Sequence, residues 1–410
     1  MKFLSFLFLT STLLIYSAQA NRLTTVQTLT AETETAPLPT GYEESDDAVV
    51  WVNPTDDSQS LVLGVSKAKL KHGGQAGVGV YDLNGKEVQY IQHDRINNID
   101  LRYNLMGYDI AAGSNRDKKA ISIFSVKANG AKLLADLPTG IAEEPYGLCM
   151  QQNPVNRKTY VWLPMKSGML YQFELKYQMR TDSFKAKLVN SFDTASFLTK
   201  KQDQRLIDLI LEDVMLDPDI LEGELLDELK EETSERHQLE GCVSDDENGA
   251  LYVGMENFGV IRMDLINSTR LSQKPTVVFE VEKTKFTPNL KNSGWKQSRA
   301  TNDIEGITLY KTTKKDKGAI IVSVQGLNEF AVLDRISNEY LGSFEVAFGN
   351  DPITETDGLT ITSASMGKFS QGLMVLHDHH NTDDAGNLLK ANYKYVNASE
   401  FLTFWPEYTP

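Results

Sequence analysis

The chain has 410 residues, 41% of them hydrophobic, which is enough to build a sizeable core in one large all-β domain or two ordinary domains. Its formal charge of −15 argues against nucleic acid as a partner and tolerates metal cations. No segment after the first 20 residues is apolar and long enough to span a bilayer.

Residues 1–20 open with Lys2 and continue as FLSFLFLTSTLLIYSAQA, an apolar run ending in small residues. This is the pattern of a secretory signal peptide cleaved after Ala20, so the protein is expected in the periplasm or outside the cell. A membrane anchor is the competing reading, disfavoured by the short apolar core. Residues 44–57, ESDDAVVWVNPTDD, then set acids directly before an apolar strand. The same arrangement returns along the chain as NIDLRYN, EPYGLCM, LEGCVS, IEGITLY and TDGLTIT. A second element also recurs six times: a strand, a polar tip and another strand, as in YDIAAGSNR, TYVWLPMKSG, ALYVGMENFG and AIIVSVQGLN. Units of roughly 40–50 residues with several strands each predict a six-bladed β-propeller rather than a sandwich or barrel. Residues 21–410 are expected to form this single all-β domain.

Residues 195–238 interrupt the rhythm. Leu206, Ile207, Ile210, Leu211, Val214 and Met215 recur at helical spacing, and a second amphipathic run starts at Ile220. Between Leu206 and Glu235 stand 12 acidic residues against Lys230 alone. A helical hairpin with a solvated acidic face is expected, with a lid or docking surface as the alternative. Cys149 and Cys242 lie in strand-like contexts, and the sequence leaves open a disulfide or two buried thiols.

In a propeller the innermost strands line a channel, so equivalent positions form a ring. Aligning the repeats places Asp47, Asp100, Glu240, Glu305 and Asp357 at one such position, with Tyr146 as the sixth. Clustered carboxylates repel, and hard divalent cations relieve them; Ca²⁺ suits a flexible oxygen cage. The polar tips add Lys67, Arg116, Lys166, Glu256, Gln325 and the His377-Asp378 pair. Three cations beside metal-loaded carboxylates predict a site for a polyanion with several phosphates, attacked by a metal-activated water. HDHH at 377–380 is a weaker zinc motif, because neighbours on a strand face opposite ways. No P-loop, nucleophile elbow or HExxH motif occurs.

DDAVVWVNP, VYDLNGKE, INNIDLRYN, AAGSNR, EPYGL, LEGCVSDDENGALYVG, NDIEGITLY and TETDGL together resemble the β-propeller phytases, from about Glu32 to the C-terminus. The resemblance implies calcium-dependent hydrolysis of phytate (inositol hexakisphosphate) by a 3-phytase-type monoesterase holding several calcium ions. It implies phosphate contacts from Arg116, Tyr146, Lys166 and Lys67, with Lys69 or Lys71 as substitutes for the last. Asp46, Asp47, Glu240 and Glu305 match calcium ligands, Asp303 and Glu34 more weakly. Asn98, Asp100, Gln325, Asp357 and Asn381 match structural calcium positions. Ser167 and Met255 stand where the family carries carboxylates, and Glu256 compensates only if its orientation shifts; His377 and His379 replace Gln and Gly. A catalytically weakened propeller binding phosphorylated ligand, or a protein-binding scaffold, are the competing readings. A closed propeller is expected to be a monomer.

Overall fold

The computed structural model describes residues 25–39, 45–68, 75–221, 223–266 and 270–409, with side chains omitted for 266 and 270–274. The signal peptide, Glu43, Glu44, Lys69 and Lys71 lie outside the described residues.

Six antiparallel sheets of mostly four strands are arranged in sequence order, with inner strands Ser45–Trp51, Ile96–Leu105, Cys149–Gln152, Leu239–Asp245, Ile304–Lys311 and Leu359–Thr362. Each inner strand packs on the next, and the last returns to the first, so the ring closes as a six-bladed propeller. The N-terminus helps to close it. Thr33–Glu34 adds the outermost strand of the sixth blade beside Asn392–Asn397. Gln27–Thr30 runs parallel to Tyr340–Phe348 at the edge of the fifth. A two-residue strand carries no readable hydrophobic period, so this closure was invisible in the sequence.

Blade strands are buried on both faces, which explains their continuous Val, Ile, Leu and Tyr runs. The core is six apolar clusters, one between each pair of adjacent blades. The cluster between blades three and four differs in two ways. It contains a disulfide between Cys149 and Cys242, whose Cα atoms lie 5.6 Å apart on neighbouring inner strands. It also receives the insertion. Helix α1, Lys200–Leu216, starts with a capping box between Thr199 and Gln202 and buries Leu206, Ile210 and Val214 in that cluster. Helix α2, Leu225–Glu235, buries no residue fully. A short α3, Ala398–Phe404, packs Phe401 and Leu402 against blades five and six. Among the described residues no helix is long and apolar enough to cross a membrane.

Candidate active site at the channel mouth

The geometry of the mouth comes from one irregularity repeated around the ring. The inner strands of blades one, two, four and five each carry a bulge at their start: Leu239 pairs with Met255 but Cys242 with Val253, and Ile304 with Val324 but Ile307 with Val322. Three residues advance on the inner strand for two on its partner. The unpaired residues are Asp46-Asp47, Asn97-Asn98, Glu240-Gly241 and Glu305-Gly306. The glycine has a physical cause. A Cβ on Gly241 would lie 2.1 Å from the Glu305 carbonyl, and one on Gly306 would lie 2.7 Å from the Asp357 carbonyl, so adjacent blades approach too closely for a side chain.

This register moves two members of the expected ring. Asp46, not Asp47, is equivalent to Glu240 and Glu305, because each is the first of the two unpaired residues in its bulge; Asp357 and Tyr146 hold the same place before Gly358 and Gly147. Asn97 occupies the blade-two position, three residues before Asp100. Counting from the apolar strand skips the bulge, and neither Asp46 nor Asn97 is followed by the glycine that marks the position in the other four blades. Asp47 instead accepts from the backbone N–H groups of Ala48 and Ile99. Asp100 pairs with Arg102 at 2.9 Å and accepts from the Met150 N–H. Both line a channel cavity of about 520 Å³ below the mouth, with Asn98 beside them.

At the mouth, Glu240, Glu256 and Glu305 are buried, with carboxylate oxygens within 4.8 Å of one another. The strand ends at Met255, whose side chain sits in the blade three–four core, and Glu256 follows it in a turn. Strand alternation therefore does not constrain Glu256, and the acid reaches the cluster that Met255 cannot. Burial raises the Glu256 and Glu305 carboxyls well above the usual range, and Glu240 beside them adds to it. Asp46 is likewise raised, by burial first, with Lys67 opposing and Asp357 and Glu240 reinforcing. Among the described residues, Asp46 Oδ1 and Glu305 Oε2 are buried without a hydrogen-bond donor. Buried oxygens lacking donors, set among mutually repelling carboxylates, fit hard divalent cations.

The cations ring this cluster. Lys67 Nζ lies 2.7 Å from Asp46 and 2.9 Å from Asp357, and Asp357 also accepts from Gln325 at 2.6 Å. Burial alone would lower the Lys67 ammonium, but Asp357, Asp46 and Glu240 outweigh it and keep it charged. The Tyr146 ring has cations against it, the Arg116 guanidinium at 5.3 Å and the Lys166 ammonium at 4.9 Å. Two bridges tie this group to the acids. Asn97 donates to Glu240 at 2.7 Å and accepts from Arg116 at 3.2 Å. Gln238 donates to Glu256 at 2.6 Å and to the Tyr146 hydroxyl at 3.3 Å. Burial, then the acids Glu240, Glu256 and Glu305, raise the Tyr146 phenol well above its ordinary range, so it stays protonated.

Other expected residues sit apart from the triad. Asp303, in left-handed backbone, pairs with Lys285 at 2.9 Å. Glu34 and Asn381 meet the buried Lys394 ammonium at 2.6 and 2.7 Å, alongside Asp351 and Asp378. His377 is buried and bonds Ser45 at 2.9 Å. The strand ends at Asp378, so the alternation argument does not apply to His379 and His380; both rings reach Glu355 from the following turn. The sequence reading missed Asn97, Gln238, Glu143 and Glu144. Glu144 holds Arg116 at 3.1 Å, and Glu143 accepts from the Ser167 hydroxyl at 2.7 Å and its N–H at 2.9 Å. A carboxylate from the loop before Tyr146 thus stands at the tip where Ser167 lacks one.

The family model described as phytase matches residues 2–200 and 220–403, nearly the whole chain. The chain belongs to the phytase family. Family membership makes it a phosphoric-monoester hydrolase, and the unmatched stretch 201–219 falls in the insertion. A 3-phytase of Bacillus subtilis (strain 168) is 28% identical over 389 residues, covering 90% of this chain and 83% of that protein. Solved structures include the calcium-binding protein regucalcin of Agrobacterium tumefaciens C58, at 9% identity, 91% and 97% coverage and TM-score 0.45. Another is Chaetomium thermophilum Sqt1 bound to the N-terminus of ribosomal protein L10, at 12% identity, 88% and 90% coverage and TM-score 0.44.

Proposed function

We propose that this phytase-family enzyme is an exported, calcium-dependent phosphomonoesterase acting on phytate. The observation that carries the reading is the joining of three buried carboxylates, Glu240, Glu256 and Glu305, to the Arg116–Tyr146–Lys166 group through Asn97 and Gln238. Glu240, Glu256, Glu305 and Asp46 would hold calcium. When bound, calcium would neutralise phosphate charge and activate a water for attack on phosphorus. Arg116 and Lys166 offer charged donors to non-bridging phosphate oxygens, with Arg suited to a bidentate contact. The protonated Tyr146 hydroxyl donates between them. Lys67 balances Asp46 and Asp357 in the free protein and is placed to meet a second phosphate of a polyphosphorylated ring.

Glu256 within the triad and Glu143 at the Ser167 tip support full rather than weakened catalysis. Residues 1–20 support export, and the Cys149–Cys242 disulfide suits an oxidising compartment. The test is phosphate release from calcium phytate with and without chelator. The reading expects release that stops when EDTA is added and returns with calcium; equal release in both conditions refutes the metal mechanism.

A further inference from the structure

The insertion lies against the phosphate side of the mouth. Helix α1 is seated in the blade three–four core, and it is tied to the propeller by Arg205 with Glu280 and by Asn302 donating to Asp213 at 2.9 Å. Helix α2 ends at Glu235, whose carboxylate lies 3.0 Å from Lys166 Nζ. Immediately after it, Arg236 and His237 both bond Asp203 of α1, at 3.1 and 2.8 Å, which fixes where α2 stops. The side chains of Glu235 and Lys166 are 39% and 37% exposed, so a solvent-borne anion can reach the pair. The opposite cation of the same site, Arg116, carries a comparable partner in Glu144. The difference is origin: Glu144 comes from the propeller, Glu235 from the insertion. Glu232 and Asp213 of the insertion stand near the Asp303–Lys285 pair, their carboxyls raised first by burial.

We propose that Glu235 is a specificity-determining residue: the insertion holds a carboxylate on the Lys166 ammonium, where a substrate phosphate must displace it. The idea rests on the functional reading above and adds to it a role for the insertion. A carboxylate and a phosphate oxygen compete for the same charged donor, so each phosphate bound at Lys166 costs the Glu235 ion pair. Partly exposed ion pairs are weak, so the penalty is an affinity effect of modest size and leaves the chemical step untouched.

The test compares wild type, Glu235→Gln and Glu231→Gln. Glu231 is an exposed acid of the same helix, so its variant controls for net charge alone. Steady-state kinetics on calcium phytate should show about two- to fivefold lower KM for Glu235→Gln, with kcat and melting temperature unchanged. Glu231→Gln should match wild type, and the gap should narrow as salt rises. An unchanged or raised KM in Glu235→Gln overturns the proposal, as does an equal drop in Glu231→Gln. Calorimetric titration with inorganic phosphate in the presence of calcium reads Lys166 without turnover. If wild type releases no phosphate from phytate, the substrate reading fails, while tighter phosphate binding by Glu235→Gln still supports the gate and equal binding still sinks it.

Discussion

Glu240 and Asp245 lie at opposite ends of one inner strand, Leu239–Asp245, and both are buried. Their surroundings differ completely. Asp245 receives two bonds from Arg335, at 2.7 and 2.6 Å, and one from Asn248 at 2.8 Å. Burial would raise its carboxyl, but these partners override it and hold it below the ordinary range. Glu240 faces Glu256 and Glu305 and accepts one amide bond from Asn97. The far end of the strand is built for stability, with every charge answered. The mouth is left short of positive charge, which a fold tolerates only where something else supplies it.

Removing the answering charge should break the stable end. Arg335→Met strands Asp245 in the interior and should cost about 3–5 kcal/mol in chemical denaturation, with specific activity of the folded fraction retained. A loss below about 1 kcal/mol would show that the two ends are not different in kind. The disulfide lies just below the mouth, three residues after Tyr146 and two after Glu240. Replacing both cysteines by serine frees a loop of 93 residues and should cost about 2–4 kcal/mol; unchanged denaturation midpoints would rule out that contribution.

At the mouth the sign reverses. Glu305→Gln removes a repelling carboxylate, so the chelated protein should be no less stable than wild type, while phosphate release should fall about a hundredfold. Normal turnover in this variant would detach the triad from catalysis. The pH dependence follows from the raised carboxyls of Asp46, Glu256 and Glu305. Their folded-state pKa values exceed the unfolded ones, so the native state holds extra protons. Stability is fully present below the ordinary carboxylate range and is lost as pH rises through the raised values. Thermal melts of chelated protein should therefore weaken as pH rises from acid, and calcium should cancel the trend, because cations bind the deprotonated form. A melt that strengthens with pH in chelator would contradict the assignment.

Blade number and the helical hairpin were legible because both rest on apolar periodicity, which burial imposes directly. The ring register was not. A bulge adds one residue without changing the apolar pattern, so that pattern points to Asp47 where Asp46 stands; in blade two the ring position carries Asn97, and the only acid of that inner strand is Asp100, three residues on. Glu256 looked misdirected because the strand's end at Met255 is a hydrogen-bonding fact absent from composition. Glu143, Glu144 and Glu235 were unreadable for another reason: they lie in a loop and at a helix end, and reach Ser167, Arg116 and Lys166 only through the tertiary fold.

Direct calcium binding to the full chain, measured calorimetrically for wild type and Glu240→Gln, tests the central claim most closely. The account predicts that the substitution at the centre of the triad removes at least one bound calcium or weakens it about tenfold or more. Identical stoichiometry and affinity in the two proteins would show that the three buried carboxylates at the mouth are not a calcium site.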